Sequence, residues 1–305
     1  MIHKDNLPKT NNLAAAFIGL GAMGYPMAGH LQTSGYPTTV FNRSESKAKK
    51  WADKHNGEYA LTPKKAAINK DIVFICVGND KDVREVVLGD NGALAGMKQG
   101  AILVDHTTTS AELALELKAK CEDAGCEFID APVSGGQAGA ENGQLTVMCG
   151  GKNAIFDTAK PIIQSFAKQI QLMGETGQGQ RTKMVNQICI AGVLSGLSEA
   201  LLLAQKVGLD IPQLVDTLKH GAAGSWQMEN RLETMSEDKF DFGFAIDWMH
   251  KDLSICLEEA AKHQLALPLT AKVDNQYQAL QQKGMGRLDT SALIKSLQTD
   301  ENTIK

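Results

Sequence analysis

The sequence predicts an α/β fold, a doubly wound parallel sheet followed by an all-helical domain, and three observations carry that reading. Between positions 14 and about 173, short apolar runs alternate with amphipathic stretches, the pattern of βαβ units and a mostly parallel sheet. After Gly174 the strand pattern stops and long helical periodicities take over. Glycines outnumber prolines 29 to 8, which suits many tight strand-to-helix turns.

Strands are expected at 14–18, 38–41, 72–77, 102–104, 128–129 and 145–149, with helices at 22–33, 45–54, 82–88 and 111–124 between them. Beyond the sheet, helices are expected at 182–207, 211–220, 226–235, 246–263, 269–282 and 291–299. This gives a flexible tail over 1–12, a sheet domain over 13–174 and a helical domain over 175–305. The helix at 182–207 carries a seam of small residues, Ala191, Gly192, Ser195 and Gly196. A helix so apolar should be buried on all sides, which predicts a homodimer or homotetramer joined through helical domains.

Composition excludes several classes. A length of 305 residues suits two domains and a core that needs no disulfide or metal. The hydrophobic share of 43% and charged share of 22% are those of a globular chain, not of collagen, a coiled coil or a disordered segment. A net charge of −4 argues against nucleic-acid and anionic-membrane partners. No apolar run reaches the roughly 18 residues of a membrane span, and the polar tail lacks the core of a secretory signal. Cys76, Cys121, Cys126, Cys149, Cys189 and Cys256 form no C-x-x-C pair and no zinc spacing. They read as reduced core residues of a cytoplasmic protein with no metal site.

The first strand runs into Gly19-Leu20-Gly21-Ala22-Met23-Gly24, a G-x-G-x-x-G that opens a helix. This is the context of a Rossmann-type dinucleotide site. Gly19 permits the tight turn, Gly21 lets a pyrophosphate approach the backbone, and Gly24 lets helix and strand pack closely. The helix N-terminus then offers unpaired N–H groups to the phosphates. About 20 residues on, an NAD site places an acidic residue on the ribose 2′-hydroxyl. Here the second strand ends in Asn42, Arg43 and Ser44. A guanidinium fork suits a 2′-phosphate, so NADP is the expected cofactor, with NAD use also possible.

Two later loops follow strands and would meet a ligand at the carboxyl edge of the sheet. Asp130-Ala131-Pro132-Val133-Ser134-Gly135-Gly136 ends in a hydroxyl and two glycines whose backbone N–H groups suit a carboxylate. Asp105-His106-Thr107-Thr108-Thr109 would turn its hydroxyls to the cofactor crevice. Further on, Lys183 lies in an apolar helix, with Asn186 and Gln187 on the same face. A partly buried ammonium has a lowered pKa and serves as a proton donor near neutrality; a lysine at a helix start can also simply snorkel. The adjacent pair Lys251-Asp252 on the 246–263 helix is, taken alone, an ordinary solvated face.

Together the segments F-I-G-L-G-A-M-G-Y-P-M-A, D-A-P-V-S-G-G, G-Q-G-Q-R-T-K-M-V-N-Q and K-D-L-S-I-C-L, in this order, resemble the β-hydroxyacid dehydrogenase family. That family includes 3-hydroxyisobutyrate dehydrogenases, tartronate semialdehyde reductases and glyoxylate/succinic semialdehyde reductases. The resemblance spans positions 17 to about 260. It implies an NAD(P)-dependent enzyme interconverting a small carboxylate-bearing hydroxyacid and its semialdehyde or oxoacid. By the same resemblance Lys183 is the catalytic lysine and Asn186 positions substrate. Ser134, Gly135 and Gly136 hold its carboxylate, Thr108, Val77 and Gly78 contact the cofactor, and Lys251 reaches the cofactor or closes over the substrate. Some members carry a second Asn where this chain has Gln187. The loop 221–226, with Arg231 and Phe244, is expected to shape the pocket. The rival readings are an imine reductase, in which the lysine position usually differs, and a catalytically inactive scaffold, which would have lost Lys183. 6-Phosphogluconate dehydrogenase has a similar first domain and a longer helical one.

Overall fold

The computed structural model describes residues 13–298; the tail expected at 1–12 and Thr299, the last residue of the final expected helix, lie outside them. The chain forms two compact units, one ending at Lys183 and one beginning at Met184.

The first unit runs β1 (Ala15–Ile18), α1 (Gly24–Thr33), β2 (Thr38–Phe41), α2 (Glu45–His55), β3 (Glu58–Tyr59), α3 (Pro63–Ala67), β4 (Ile72–Ile75), α4 (Asp80–Leu88), β5 (Ile102–Asp105), α5 (Ala111–Asp123) and β6 (Glu127–Asp130). It continues with β7 (Val133–Ser134), α6 (Gly136–Glu141), β8 (Leu145–Cys149), α7 (Asn153–Ile163) and β9 (Ala167–Leu172). Six strands pair in the order β3-β2-β1-β4-β5-β6, all parallel. Continuous apolar runs suit strands buried on both faces. In β1, Ala15 and Phe17 join one core with Met27, Leu31 and Trp51. Ala16 and Ile18 join the other, with Val83, Val87, Leu113 and Leu117. The strand order reverses between β1 and β4, so the loops leaving those two strands open the crevice where ligands bind in such sheets.

A second sheet, β7-β8-β9, was not legible as a separate element. Strand β7 has two residues, and β9 reads Ala-Lys-Gln-Ile-Gln-Leu, too polar to stand out. It pairs in parallel with β8, while β7 pairs antiparallel with it.

Helix α8 (Gln178–Lys206) begins in the first unit and continues through the second. The second unit then adds α9 (Ile211–Leu218), α10 (Trp226–Ser236), α11 (Ile246–Lys262) and α12 (Pro268–Gln282). Its core unites Leu194 and Leu201 of α8, Leu232 of α10, Met249 and Leu253 of α11, and Tyr277 of α12. No strand occurs among its described residues, only an isolated bridge between Ala245 and Asp289. The last expected helix is a 3-10 helix, Thr290–Ser296. Asp289 Oδ1 accepts from both the backbone N–H (3.1 Å) and the hydroxyl (2.7 Å) of Ser291, which favours the tight winding.

Three expectations change here. Helix α8 is not buried on all sides within the chain: Val185 is 61% exposed and Leu203 65%, and Val207, just past the helix end, is 61% exposed. By length and composition the helix is long and apolar enough to cross a membrane, although Asn186, Gln187 and Glu199 interrupt its apolar run. Among the cysteines, Cys189 lies on the exposed side of α8 rather than in a core.

Candidate active site

The glycine loop divides by physical cause. Gly19 has φ +96°, and a Cβ there would overlap the Cys76 carbonyl oxygen. A Cβ on Gly24 would overlap the Gly19 carbonyl oxygen and press on the Phe17 ring at 2.8 Å. Both are glycine because the fold allows nothing else. Gly21 is different: a Cβ there would meet nothing within 4 Å, and Gly21 and Ala22 are exposed at the start of α1. Open space at the N-terminal end of a ten-residue helix fits a pyrophosphate, so these residues fit a dinucleotide. Met23 and Gly24 form the helix start itself. The Leu20 N–H is not left for phosphate; it donates to Asn42 Oδ1 at 3.0 Å.

Asn42 also donates Nδ2 to the Ser44 carbonyl at 3.2 Å, so its amide ties the glycine loop to the end of β2. The Ser44 and Ser46 hydroxyls lie 3.2 Å apart. Arg43 reaches outward, with its side chain 79% exposed and Nη2 3.2 Å from Asp82 Oδ1. Asp82 belongs to the first turn of α4, where Asn79 Oδ1 accepts its N–H at 2.9 Å. An acidic residue therefore faces Arg43 from a neighbouring element, a feature the sequence spacing did not signal.

The loop after β5 is more buried than expected. Thr107 and Thr109 are buried, and Thr107 Oγ1 accepts the Val77 N–H at 3.1 Å. Only Thr108 of these threonines is half-buried, as are Val77 and Gly78. Burial pushes the Asp105 carboxyl up to about 7, although Oδ1 accepts the Thr107 N–H at 2.9 Å. Burial likewise pulls His106 down to about 4, so its ring is neutral at physiological pH. His106 stacks on Phe74, with ring centroids 5.6 Å apart, and lies 2.6 Å by Nδ1 from the Ala131 carbonyl, which requires Nδ1 to carry the proton. In the glycine pair, Gly135 (φ +132°) and Gly136 (φ +63°) are exposed, and Ser134 is half-buried in β7.

Lys183 is buried, 7% exposed, in the second turn of α8. Asp130, the last residue of β6, holds the start of that helix: Oδ1 accepts the Gly177 N–H at 2.7 Å and Oδ2 the Gln180 N–H at 2.9 Å. Burial pushes Asp130 up to about 6, and those backbone donors oppose the rise. Gln180 then spans to the loop after β5, accepting the Thr109 N–H at 3.1 Å and donating to the Thr107 carbonyl at 2.8 Å. Neither Asp130 nor Gln180 was singled out from the sequence. The position of Gln180 three residues before Lys183 was the available signal, because it places both on one helix face.

In the second unit, Asn186 donates Nδ2 to Gln187 Oε1 at 2.8 Å, and the fully buried Gln187 donates Nε2 to Asp252 Oδ2 at 2.6 Å. Lys251 Nζ lies 3.0 Å from Asp252 Oδ1. The Lys251-Asp252 pair is thus not a solvated face: Asp252 is buried and joins a side-chain chain that reaches Asn186. Arg231 stacks between Phe242 (4.1 Å) and Trp226 (4.9 Å) and pairs with buried Asp289 at 3.2 Å, which ties it to the helical core. Phe244 packs half-buried against the same core.

Comparison with known proteins defines the class. Residues 14–174 match the NAD binding domain of 6-phosphogluconate dehydrogenase, and 177–297 the NAD-binding domain of NADP-dependent 3-hydroxyisobutyrate dehydrogenase. The chain is an NAD(P)-dependent dehydrogenase. It is 55% identical to an uncharacterised oxidoreductase of Shewanella frigidimarina over 93% of this chain and 97% of that one. With the 2-hydroxy-3-oxopropionate reductase of Escherichia coli it shares 35% identity, over 94% of this chain and 97% of the other. The crystal structure of a 3-hydroxyisobutyrate dehydrogenase from Salmonella typhimurium superposes with a TM-score of 0.84 at 29% identity, covering 93% of this chain and 99% of that one. The protein belongs to the β-hydroxyacid dehydrogenase family, whose members act on small hydroxyacids.

Proposed function

We propose that the protein interconverts a short hydroxyacid and its semialdehyde or oxoacid, with NADP preferred over NAD and Lys183 as general acid and base. The single observation that carries this is the buried Lys183, three residues along α8 from Gln180, which ties the helix start to the loop holding Thr108.

In this reading residues 13–174 serve the cofactor and 175–305 the substrate and subunit contacts. Gly19 to Gly24 cradle the pyrophosphate, and Arg43, with Asn42 and Ser44 beside it, meets the 2′-phosphate. Val77, Gly78, Thr108 and Lys251 line the remainder of the cofactor. When bound, the nicotinamide supplies or accepts the hydride. The Ser134 hydroxyl and the N–H groups of Gly135 and Gly136 donate to the substrate carboxylate, fixing which carbon lies next to the lysine. Asn186 orients the reacting oxygen. During reduction Lys183 Nζ gives a proton to that oxygen as negative charge grows on it, and its own charge stabilises the change. During oxidation the neutral amine takes the proton back.

The likeness to the E. coli reductase and the Salmonella dehydrogenase supports a substrate of three or four carbons bearing a carboxylate. Absorbance at 340 nm, followed with NADPH and NADH over a panel of short semialdehydes, glyoxylate and hydroxyacids, tests the reading. Steady cofactor turnover with at least one carboxylate substrate is expected. No turnover across the panel with either cofactor would overturn it.

A further inference from the structure

We propose that Gln180 is a positioning residue for the reaction: through its two hydrogen bonds to Thr107 and Thr109 it fixes the rotation of the helix that carries Lys183. The inference rests on Lys183 being the proton donor.

Two restraints of different direction meet at the start of α8. Asp130 is buried and accepts the N–H of Gly177, just before the helix, at 2.7 Å and that of Gln180 in its first turn at 2.9 Å. Where α4, α5 and α10 carry a side-chain cap, it comes from the residue just before the helix: Asn79, Ser110 and Ser225. Here the cap comes from the end of β6, 47 residues away in the chain, so it pins the helix end to the sheet. Close approach is enforced as well. A Cβ on Gly150 would lie 2.5 Å from Asp130 Oδ1, and one on Gly179 would lie 2.7 Å from Oδ2.

An end-on cap limits sliding along the axis and restrains rotation poorly. Gln180 supplies the missing restraint. It is buried at 1% exposure and uses both ends of its amide on the backbone of one loop. A buried amide is costly unless both ends are paired, so an apolar side chain would fill this place more cheaply if packing were the sole requirement. The paired amide is directional, and Lys183 lies three residues further on, adjacent on the helix surface. A lysine tip stands several ångströms outside a helix cylinder of about 2.3 Å radius, so about 10° of rotation moves it about 1 Å. A displacement of that size at a reacting group costs on the order of 10²-fold in rate. The clamped loop also carries Thr108, so the same side chain sets the register between proton donor and cofactor-side loop.

The test is a double-mutant cycle of Gln180→Met with Lys183→Ala, reading kcat, NADPH Kd by nicotinamide fluorescence, and the solvent deuterium isotope effect. Methionine keeps length and burial and removes both hydrogen bonds. Gln180→Met should lower kcat by about 10- to 100-fold, leave NADPH Kd within about twofold and raise the isotope effect as proton transfer becomes slower. In the Lys183→Ala background it should cost almost nothing. An equal loss of kcat in both backgrounds would mean a structural role and overturn the proposal, as would unchanged kcat. If Gln180→Met does not fold, Gln180→Asn, too short to reach the loop, decides by the same readings. Should Lys183→Ala alone keep near-wild-type turnover, the lysine assignment fails first and visibly, and the positioning role falls with it.

Discussion

Replacing Lys183 with alanine should lower kcat by about 10²–10⁴-fold, the range for a positioned acid or base, and leave NADPH affinity nearly unchanged. Lys183→Arg should not restore turnover, because a guanidinium keeps its proton. Arg43→Asp should weaken NADPH about 10- to 100-fold and spare NADH, read as the ratio of the two Kd values. The Asp82 carboxylate 3.2 Å from Arg43 adds a second expectation. An exposed ion pair of this kind is weak, so Asp82→Asn should tighten NADPH only about two- to fivefold, with NADH unaffected. No change in that variant would show that Asp82 does not compete for the guanidinium. Asp105 gives a pH signature. Its carboxyl titrates near 7 when folded and near 3.8 in its ordinary state, so the folded form holds a proton the unfolded chain releases. Stability therefore falls as pH rises from about 4 to about 7. Asp105→Asn, which keeps the acceptor for the Thr107 N–H, should be more stable than wild type by about 1–3 kcal/mol at pH 8. That gain should vanish by pH 4 in denaturant titrations; a pH-independent gain would contradict the assignment.

Elements were legible where one periodicity dominated. The strands β1, β2, β4 and β5 are short apolar runs, and α5 and α11 keep a clear helical face, so their sequences announce them. Strand β9 was not legible because exposed Lys168, Gln169 and Gln171 interrupt its apolar residues and break the alternation of a half-buried strand. The site divides the same way. Of the residues proposed for the site, the glycine loop, Arg43, Ser134 and Lys183 stand out in the sequence by type and spacing. Asp130 and Gln180 act through partners dozens of residues away, and no local pattern reports a contact of that kind. The glycine loop offers a contrast at this scale. Gly24→Ala should destabilise the sheet unit by several kcal/mol, because its Cβ meets backbone with no room to relax. Gly21→Ala should leave the melting temperature equal or slightly higher while weakening NADPH. A cofactor affinity unchanged in Gly21→Ala would mean that the pyrophosphate lies elsewhere.

Across the whole molecule, the exposed apolar stripe on α8 calls for a partner surface. Val185 and Leu203 lie on one side of the helix, Val207 is exposed just after its end, and Leu265 and Leu269 are exposed near in sequence to the start of α12. A second copy of this chain is the expected cover, giving a homodimer or homotetramer. Light scattering at micromolar concentration should report an oligomer, and Leu203→Glu with Val207→Glu should shift it toward monomer. A wild-type monomer would remove this reading. The expectation of a helix buried on all sides is thus met within the chain on one side alone. The two-part organisation was legible from the change in texture after Gly174. That the compact units divide after Lys183 was not, because the start of α8 is held to the first unit by Asp130 and by the bonds of Gln180 to Thr107 and Thr109, contacts that no local pattern reports.

The different reasons for Gly19, Gly21 and Gly24 bear on how such a sequence can age. Folding itself purges side chains at 19 and 24, whatever the protein does for its host. At 21 folding is indifferent, and in the proposed cofactor site it is the nucleotide alone that removes a larger residue. A descendant that abandoned its chemistry would keep the outer two glycines for as long as it stayed folded and would drift at the middle one. Position 21 is therefore the place in this loop where lost function would first be written into the genome, well before any loss of structure.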